Sequence, residues 1–266
     1  MILSTINQLN LMPFTLAHPA AVWPLKYVRF LAVIPLVIGS LMPDLASYVP
    51  NSHELINTHS VRGTFVIDLP LGYALLMFLV LFRKLLVAPL WEPHRHFLTS
   101  AFDELISQKF WWVLIIPSLL IGSWTHIVWD SFTHENHFMV RKLPMLQYVV
   151  PVETDHPLRL YRLLQYGCSV VGIMIVTWWY WHALHSANQQ ATANASPKKY
   201  TLLGLILIAL LTGFGNALVT VPGFHAVYWF ISVTLTTAMP VFAGLYLLMA
   251  AVFYWRERSA RPGESG

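Results

Sequence analysis

The stretch "FWWVLIIPSLLIGSWTHIVWD", residues 110–130, carries one formal charge, Asp130, in twenty-one residues. A helix of about 20 apolar residues rises about 30 Å, the thickness of a bilayer's hydrocarbon core. This stretch therefore reads as a membrane span, and the fold must be built around spans. Its end is unusual. In "SWTHIVWDSFTHE", residues 123–135, the spacing H-x3-D-x3-H puts His126, Asp130 and His134 on one helix face as successive i, i+4 neighbours. Paired imidazoles at that spacing are how a helix holds a divalent metal, and a carboxylate between them can bind one ion or bridge two. The competing reading is a set of polar residues that only bond neighbouring helices together. Ionisable residues inside a membrane are costly and usually functional, which favours the metal.

Four further apolar stretches have spanning length, at residues 64–86, 163–184, 201–221 and 227–254. The 266-residue chain is 56% hydrophobic and 11% charged. Its mean hydropathy is +0.58. An all-α, polytopic membrane protein is expected. Residues 1–11 read as an N-terminal extension, 12–184 as a helical domain carrying the site, and 185–200 as a polar loop. Residues 201–255 read as a two-helix membrane segment and 256–266 as a basic tail. The net charge of +4 suggests cytoplasmic loops rather than a nucleic-acid partner. Nine basic residues fall on alternate connections: Arg83, Lys84, Arg95, Lys109, Lys198, Lys199, Arg256, Arg258 and Arg261. Arg62, Arg141, Lys142, Arg159 and Arg162 are the five on the other side. On this count the site end of the helices faces away from the cytoplasm. No basic n-region precedes Lys26, so a cleaved signal is not expected.

One helix supplies only part of a metal centre. Other donors lie in "TLAHPAA" (His18), "GSLMPDL" (Asp44, after the stop expected at Pro43) and "NTHSVRG" (His59). Residues 14–46 could form one span or a hairpin. A single span would put His18 and Asp44 at opposite ends, whereas a reversal near Lys26 to Arg29 returns them to the same end. Each arm of about 12 residues rises only about 18 Å, so the hairpin is re-entrant rather than spanning. The hairpin gathers all six candidates and is preferred. Asp68 is a candidate for orienting a ligand or acting as a base, Gln165 for bonding the site, and Arg62 for pairing with a phosphate. His53, Glu54, His137, Asp155 and His156 are loop residues among which the spacing does not choose. Cys168, the single cysteine, excludes an intrachain disulfide and a cysteine-based cluster. There is no G-x-S-x-G elbow, phosphate-binding loop or dinucleotide fingerprint.

The motifs "MPFTLAHPA", "IGSLMPDL", "THSVRGTFVIDLPLG", "HIVWDSFTH" and "LYRLLQYGCSVVG", in that order over roughly residues 12–180, resemble the bacterial membrane-protein family called domain of unknown function 4184. More distantly, the order His, Pro-Asp, Thr-His-Ser, His-x3-Asp is similar to membrane-bound metal-dependent hydrolases and to zinc-dependent phospholipase C. That resemblance implies His18, Asp44, His59, His126 and Asp130 as ligands of two zinc or other divalent ions, with Asp130 shared, and His134 as a further ligand. The phospholipase also uses an N-terminal Trp and a later His-x3-Glu. Neither has a counterpart here, so a third ion is not implied.

The expected function is metal-dependent hydrolysis of a phosphoester or related bond, in a lipid-linked or phosphorylated small substrate, at the bacterial inner membrane. Asp44 and Asp130 are the candidate catalytic carboxylates. A metal-ion or small-solute transporter, and a non-catalytic membrane scaffold, are the rival classes.

Overall fold

Pro19 and Pro24 prevent a regular helix in the first arm, because each lacks an N–H to donate. Residues Thr15–Ala17 and Trp23–Tyr27 are 3-10 turns on either side of a single α-helical turn, Pro19–Val22 (α1). The chain reverses through residues 28–32 and returns as α2, Val33–Leu45. A hairpin thus forms, but only its second arm is continuous helix. Pro43 lies inside α2 rather than ending it.

The computed structural model describes residues 15–45, 57–151, 158–188, 198–221 and 227–260. The expectations on His53, Glu54, Asp155, His156 and the extension at residues 1–11 fall outside these. After the hairpin come α3 (Val61–Leu81), α4 (Arg83–Val87), α5 (His94–Ser107) and α6 (Trp111–Thr133). Then follow α7 (Phe138–Lys142), α8 (Leu160–Asn188), α9 (Lys198–Thr220) and α10 (Val227–Ser259). Five helical stretches are long and apolar enough to cross a membrane: α3, Trp111–Lys142 with α6 as its main part, α8, α9 and most of α10. The chain is a polytopic helical membrane protein, and among the described residues there is no strand.

Two details depart from the sequence reading. The span expected at 64–86 stops at Leu81, where Arg83 turns back to donate from Nη1 to the Val80 carbonyl at 3.0 Å. The connection that carries Arg83, Lys84, Arg95 and Lys109, residues 83–109, for which no helix is expected from apolar length, is largely helical, as α4 and α5. Its charges hid a helix whose polar residues lie outside the apolar spans.

The contacts divide the chain into two units. One comprises residues 14–77 and 104–182. Within it α2 and α6 cross with their backbones in contact. A Cβ on Gly39 would lie 2.3 Å from the Leu119 carbonyl oxygen, and one on Gly122 would lie 2.3 Å from that of Leu36. Ser118 Oγ, near the same crossing, accepts from the Ala32 N–H at 2.9 Å and so caps the start of α2. Small residues let membrane helices approach this closely, where packing and hydrogen bonds replace the hydrophobic drive. Val128, Trp178 and Trp181 stay exposed, as side chains facing lipid do.

The second unit comprises residues 78–103 and 183–266, of which α9 and α10 form an antiparallel pair. Glu257 is its polar clasp. It accepts two bonds of 2.8 Å from the Arg95 guanidinium and one of 2.8 Å from Lys198 Nζ. Lys198 also donates to the Ala88 carbonyl at 2.8 Å.

Candidate metal centre

The tight α2–α6 crossing brings the ends of both helices to one place. His126 is fully buried on α6, and Asp130 lies one turn further on, 1% exposed. Asp44, on the last turn of α2, is buried beside them. His59 enters from the turn before α3, and His18 sits at the start of α1.

Each main imidazole is held at one nitrogen and aimed with the other. His126 Nδ1 donates to the Ser40 carbonyl at 2.8 Å, which leaves Nε2 facing Asp130 Oδ2 at 3.1 Å and Asp44 Oδ1 at 3.5 Å. His59 Nδ1 lies 3.2 Å from the Thr58 hydroxyl, while its Nε2 is 3.2 Å from Asp44 Oδ1 and 3.4 Å from Asp130 Oδ2. Asp44 is fixed in turn, because Thr15 Oγ1 donates to its Oδ2 at 2.6 Å. A ligating histidine whose far nitrogen donates to a backbone or side-chain oxygen has its tautomer and ring orientation set in advance.

Asp44, His59, His126 and Asp130 each offer one atom, all within 4.8 Å of one another. The four imidazole–carboxylate separations run from 3.1 to 3.5 Å. Ligands at about 2.0–2.1 Å around a tetrahedral ion are separated by about 3.3–3.4 Å. The imidazole–carboxylate separations are close to that spacing, and this cluster of two imidazoles and two carboxylates could hold a divalent metal. They suit zinc and similar first-row ions better than a soft, thiolate-seeking one.

Asp130 has a second side. Its Oδ1 is buried and accepts no hydrogen bond, yet it lies 3.2 Å from His134 Nδ1 and 3.7 Å from His18 Nε2. His18 stacks on His126, with ring centroids 3.8 Å apart, and its Nδ1 is buried without a hydrogen bond. Burial, followed by the neighbouring His126 ring, lowers the His18 pKa to about 4, so this imidazole is neutral and can donate a lone pair. Burial also opposes a charge on His59, but hydrogen bonds to Asp130 and Asp44 outweigh it and raise that pKa to about 9. A cation entering between those carboxylates displaces that proton.

The structure brings together all six expected ligands. Gln165 is with them: its side-chain nitrogen lies 2.7 Å from His134 Nε2, and with the amide turned over its oxygen would accept the Nε2 proton. Asp68, buried in the π-helical turn Thr64–Asp68, accepts from Ser123 Oγ at 2.8 Å rather than from a ligand histidine. Arg62 is exposed one residue into α3. Of the loop residues left open, His137 is beside the site. Its ring centroid lies 5.5 Å from that of His134 and 6.1 Å from that of His59, after the left-handed turn at Asn136 (φ 66°). The sequence reading missed Thr15, the Ser40 carbonyl and Thr58. A threonine directly before a candidate histidine was the one available cue.

Thr58 supplies a test of the orienting shell. Thr58→Val keeps the shape and removes the oxygen opposite His59 Nδ1. Titration with zinc should show affinity 10- to 100-fold weaker, roughly, with unchanged thermal unfolding of the metal-free protein. An unchanged affinity would make that contact incidental.

A family model described as a domain of unknown function (DUF4184) matches residues 12–254, and the chain belongs to that family. The match extends beyond the motif-bearing residues 12–180 into the last two helices. Comparison with curated proteins and with solved structures returns no match.

Proposed function

We propose that this family member is a membrane-embedded hydrolase with two divalent metal ions, zinc by preference, acting on a phosphoester or related bond in a lipid-linked substrate. The observation that carries the reading is Asp130. One of its oxygens faces His59 and His126, and the other faces His18 and His134. A buried carboxylate with unlike donors on both sides is what a bridging ligand requires. Asp44, His59 and His126 would hold one ion with Asp130, and His18 and His134 the other. The ordered resemblance to metal-dependent hydrolases and zinc-dependent phospholipase C supports the same assignment, and the bias of basic residues toward alternate connections supports an inner-membrane location with the site toward the non-cytoplasmic face.

Bound divalent ions would supply Lewis acidity toward a phosphoryl oxygen and an activated water near neutral pH. The residues supply placement. Ser40 and Thr58 keep the two Nε2 atoms converged, and Thr15 keeps Asp44 turned inward; a carboxylate of Asp44 or Asp130 that is not taken up as a ligand would instead accept a proton from an attacking water. Arg62, exposed beyond His59, would pair with a phosphate.

The test is metal analysis of the purified protein, followed by phosphodiester and phosphomonoester substrates in detergent. Two ions per chain and chelator-sensitive hydrolysis are expected. A protein that binds no divalent metal would overturn the reading in favour of a scaffold. Tight metal without hydrolysis, exchanged across vesicles, would favour a carrier.

A further inference from the structure

The segment that follows the metal centre folds like a cap yet shows an apolar outer surface. Beyond the turn at Asn136, α7 leads into the 3-10 turn Pro144–Gln147, and an isolated bridge pairs Val149 with Arg159 at the entry to α8. Val140, Leu146 and Tyr161 bury one another, with Phe132 against them, and Gln147 Nε2 donates to the Val140 carbonyl at 3.0 Å. The cap thus has its own small core. Even so, Phe138, Leu143, Met145, Tyr148 and Val149 are exposed, Met145 at 69% and Tyr148 at 59%. Arg141 and Lys142 are exposed among them, and Lys142 Nζ sits 4.3 Å over the Phe138 ring.

The position of this segment says what covers it. The 23 residues of α6 rise about 34 Å, slightly more than the hydrocarbon core, so the chain after Thr133 emerges at a membrane–water boundary. Aliphatic side chains, amphipathic aromatics and basic groups in one short segment are what a surface lying among lipid headgroups needs. We propose that Phe138–Val149 lies in the headgroup layer, with its apolar side chains toward the acyl boundary and Arg141 and Lys142 on the phosphates of anionic lipids. The contact is independent of the metal reading. Where that reading also holds, the site, with His137 beside it, sits close to headgroup depth, and its substrate phosphate comes from the lipid layer rather than from solution.

The full chain carrying Cys168→Ser and Met145→Cys, labelled with an environment-sensitive fluorophore, would be reconstituted in phosphatidylcholine vesicles with and without phosphatidylglycerol, chelator present. Quenching by lipids spin-labelled near the headgroup, and protection from aqueous iodide, are the expected results. Phosphatidylglycerol should strengthen both. Arg141→Glu with Lys142→Glu should abolish that gain, at roughly fivefold in the seated-to-free ratio per basic side chain removed. Free access of iodide to the label overturns the proposal. So does protection without lipid quenching, which would mean that protein, such as a second copy, covers the cap. Because no metal is involved, neither result bears on the hydrolase reading.

Discussion

Asp130→Ala should bind neither of the two metal ions proposed for this centre. Loss of the carboxylate removes a donor from each half of the centre at once, since Oδ2 lies 3.1 Å from His126 Nε2 and Oδ1 lies 3.2 Å from His134 Nδ1. Outer-sphere partners of ligating residues are worth about 10- to 100-fold in metal affinity, and a shared ligand should exceed that at both positions. The informative companion is Asp130→Asn, which keeps shape and volume but loses the negative charge needed to bridge two cations. Isothermal titration with zinc should find both substitutions defective. His134→Ala should spare the ion held by Asp44, His59 and His126 and lose the other. Two ions retained by Asp130→Asn would sink the bridging role. One ion retained would show that Asp130 serves a single side.

Gly122→Ala should be among the most disruptive single-carbon changes available in this chain. The added Cβ would lie 2.3 Å from the Leu36 carbonyl oxygen and 2.8 Å from the Ser40 nitrogen. Both belong to the α2 backbone, which cannot rotate aside as the tip of a side chain can. Overpacking of a tight interior typically costs about 1–3 kcal/mol, and a backbone-to-backbone contact belongs at or above the top of that range. There is a second consequence. Separation of α2 from α6 lengthens the 2.8 Å bond from His126 Nδ1 to the Ser40 carbonyl, so metal affinity should fall together with stability. Thermal unfolding in detergent and zinc titration of the surviving folded fraction check the two parts. An alanine variant with unaltered unfolding and affinity would mean that the helices pack less closely than described.

Much of this site is legible in the sequence because its donors are side chains of rare types in an apolar background. His126, Asp130 and His134 stand out by spacing. His18 and Asp44 settle the hairpin, since only a reversal brings them to the same end. What the sequence hides is whatever depends on backbone or on distant pairing. The Ser40 carbonyl that orients His126 has no residue signature, since every residue carries a carbonyl. The hydroxyl of Thr15 resembles any other until the hairpin closes and sets it on Asp44. The Thr64–Asp68 turn is π-helical, with the Leu69 N–H bonded to the Thr64 carbonyl, and Pro70 directly after it has no N–H to continue the ladder. That proline was visible, but its local outcome was not. The helices within 83–109 went unread for a different reason: the test for spans looks for apolar length, and a polar helix beside a membrane fails it.

The glycines at the α2–α6 crossing also bear on which ion a metal centre built on these helices would accept. Calcium takes its oxygen ligands at about 2.3–2.6 Å, roughly 0.3 Å longer than zinc's bonds to nitrogen and oxygen. A cage of flexible side chains could swell by that amount. Here Asp44, His126 and Asp130 project from two main chains already touching at Gly39 and Gly122. To admit the larger ion, whole helix axes would have to part, giving up the close packing that joins them. Discrimination by ionic radius would then reside in two absent side chains, a turn or more away from any ligand.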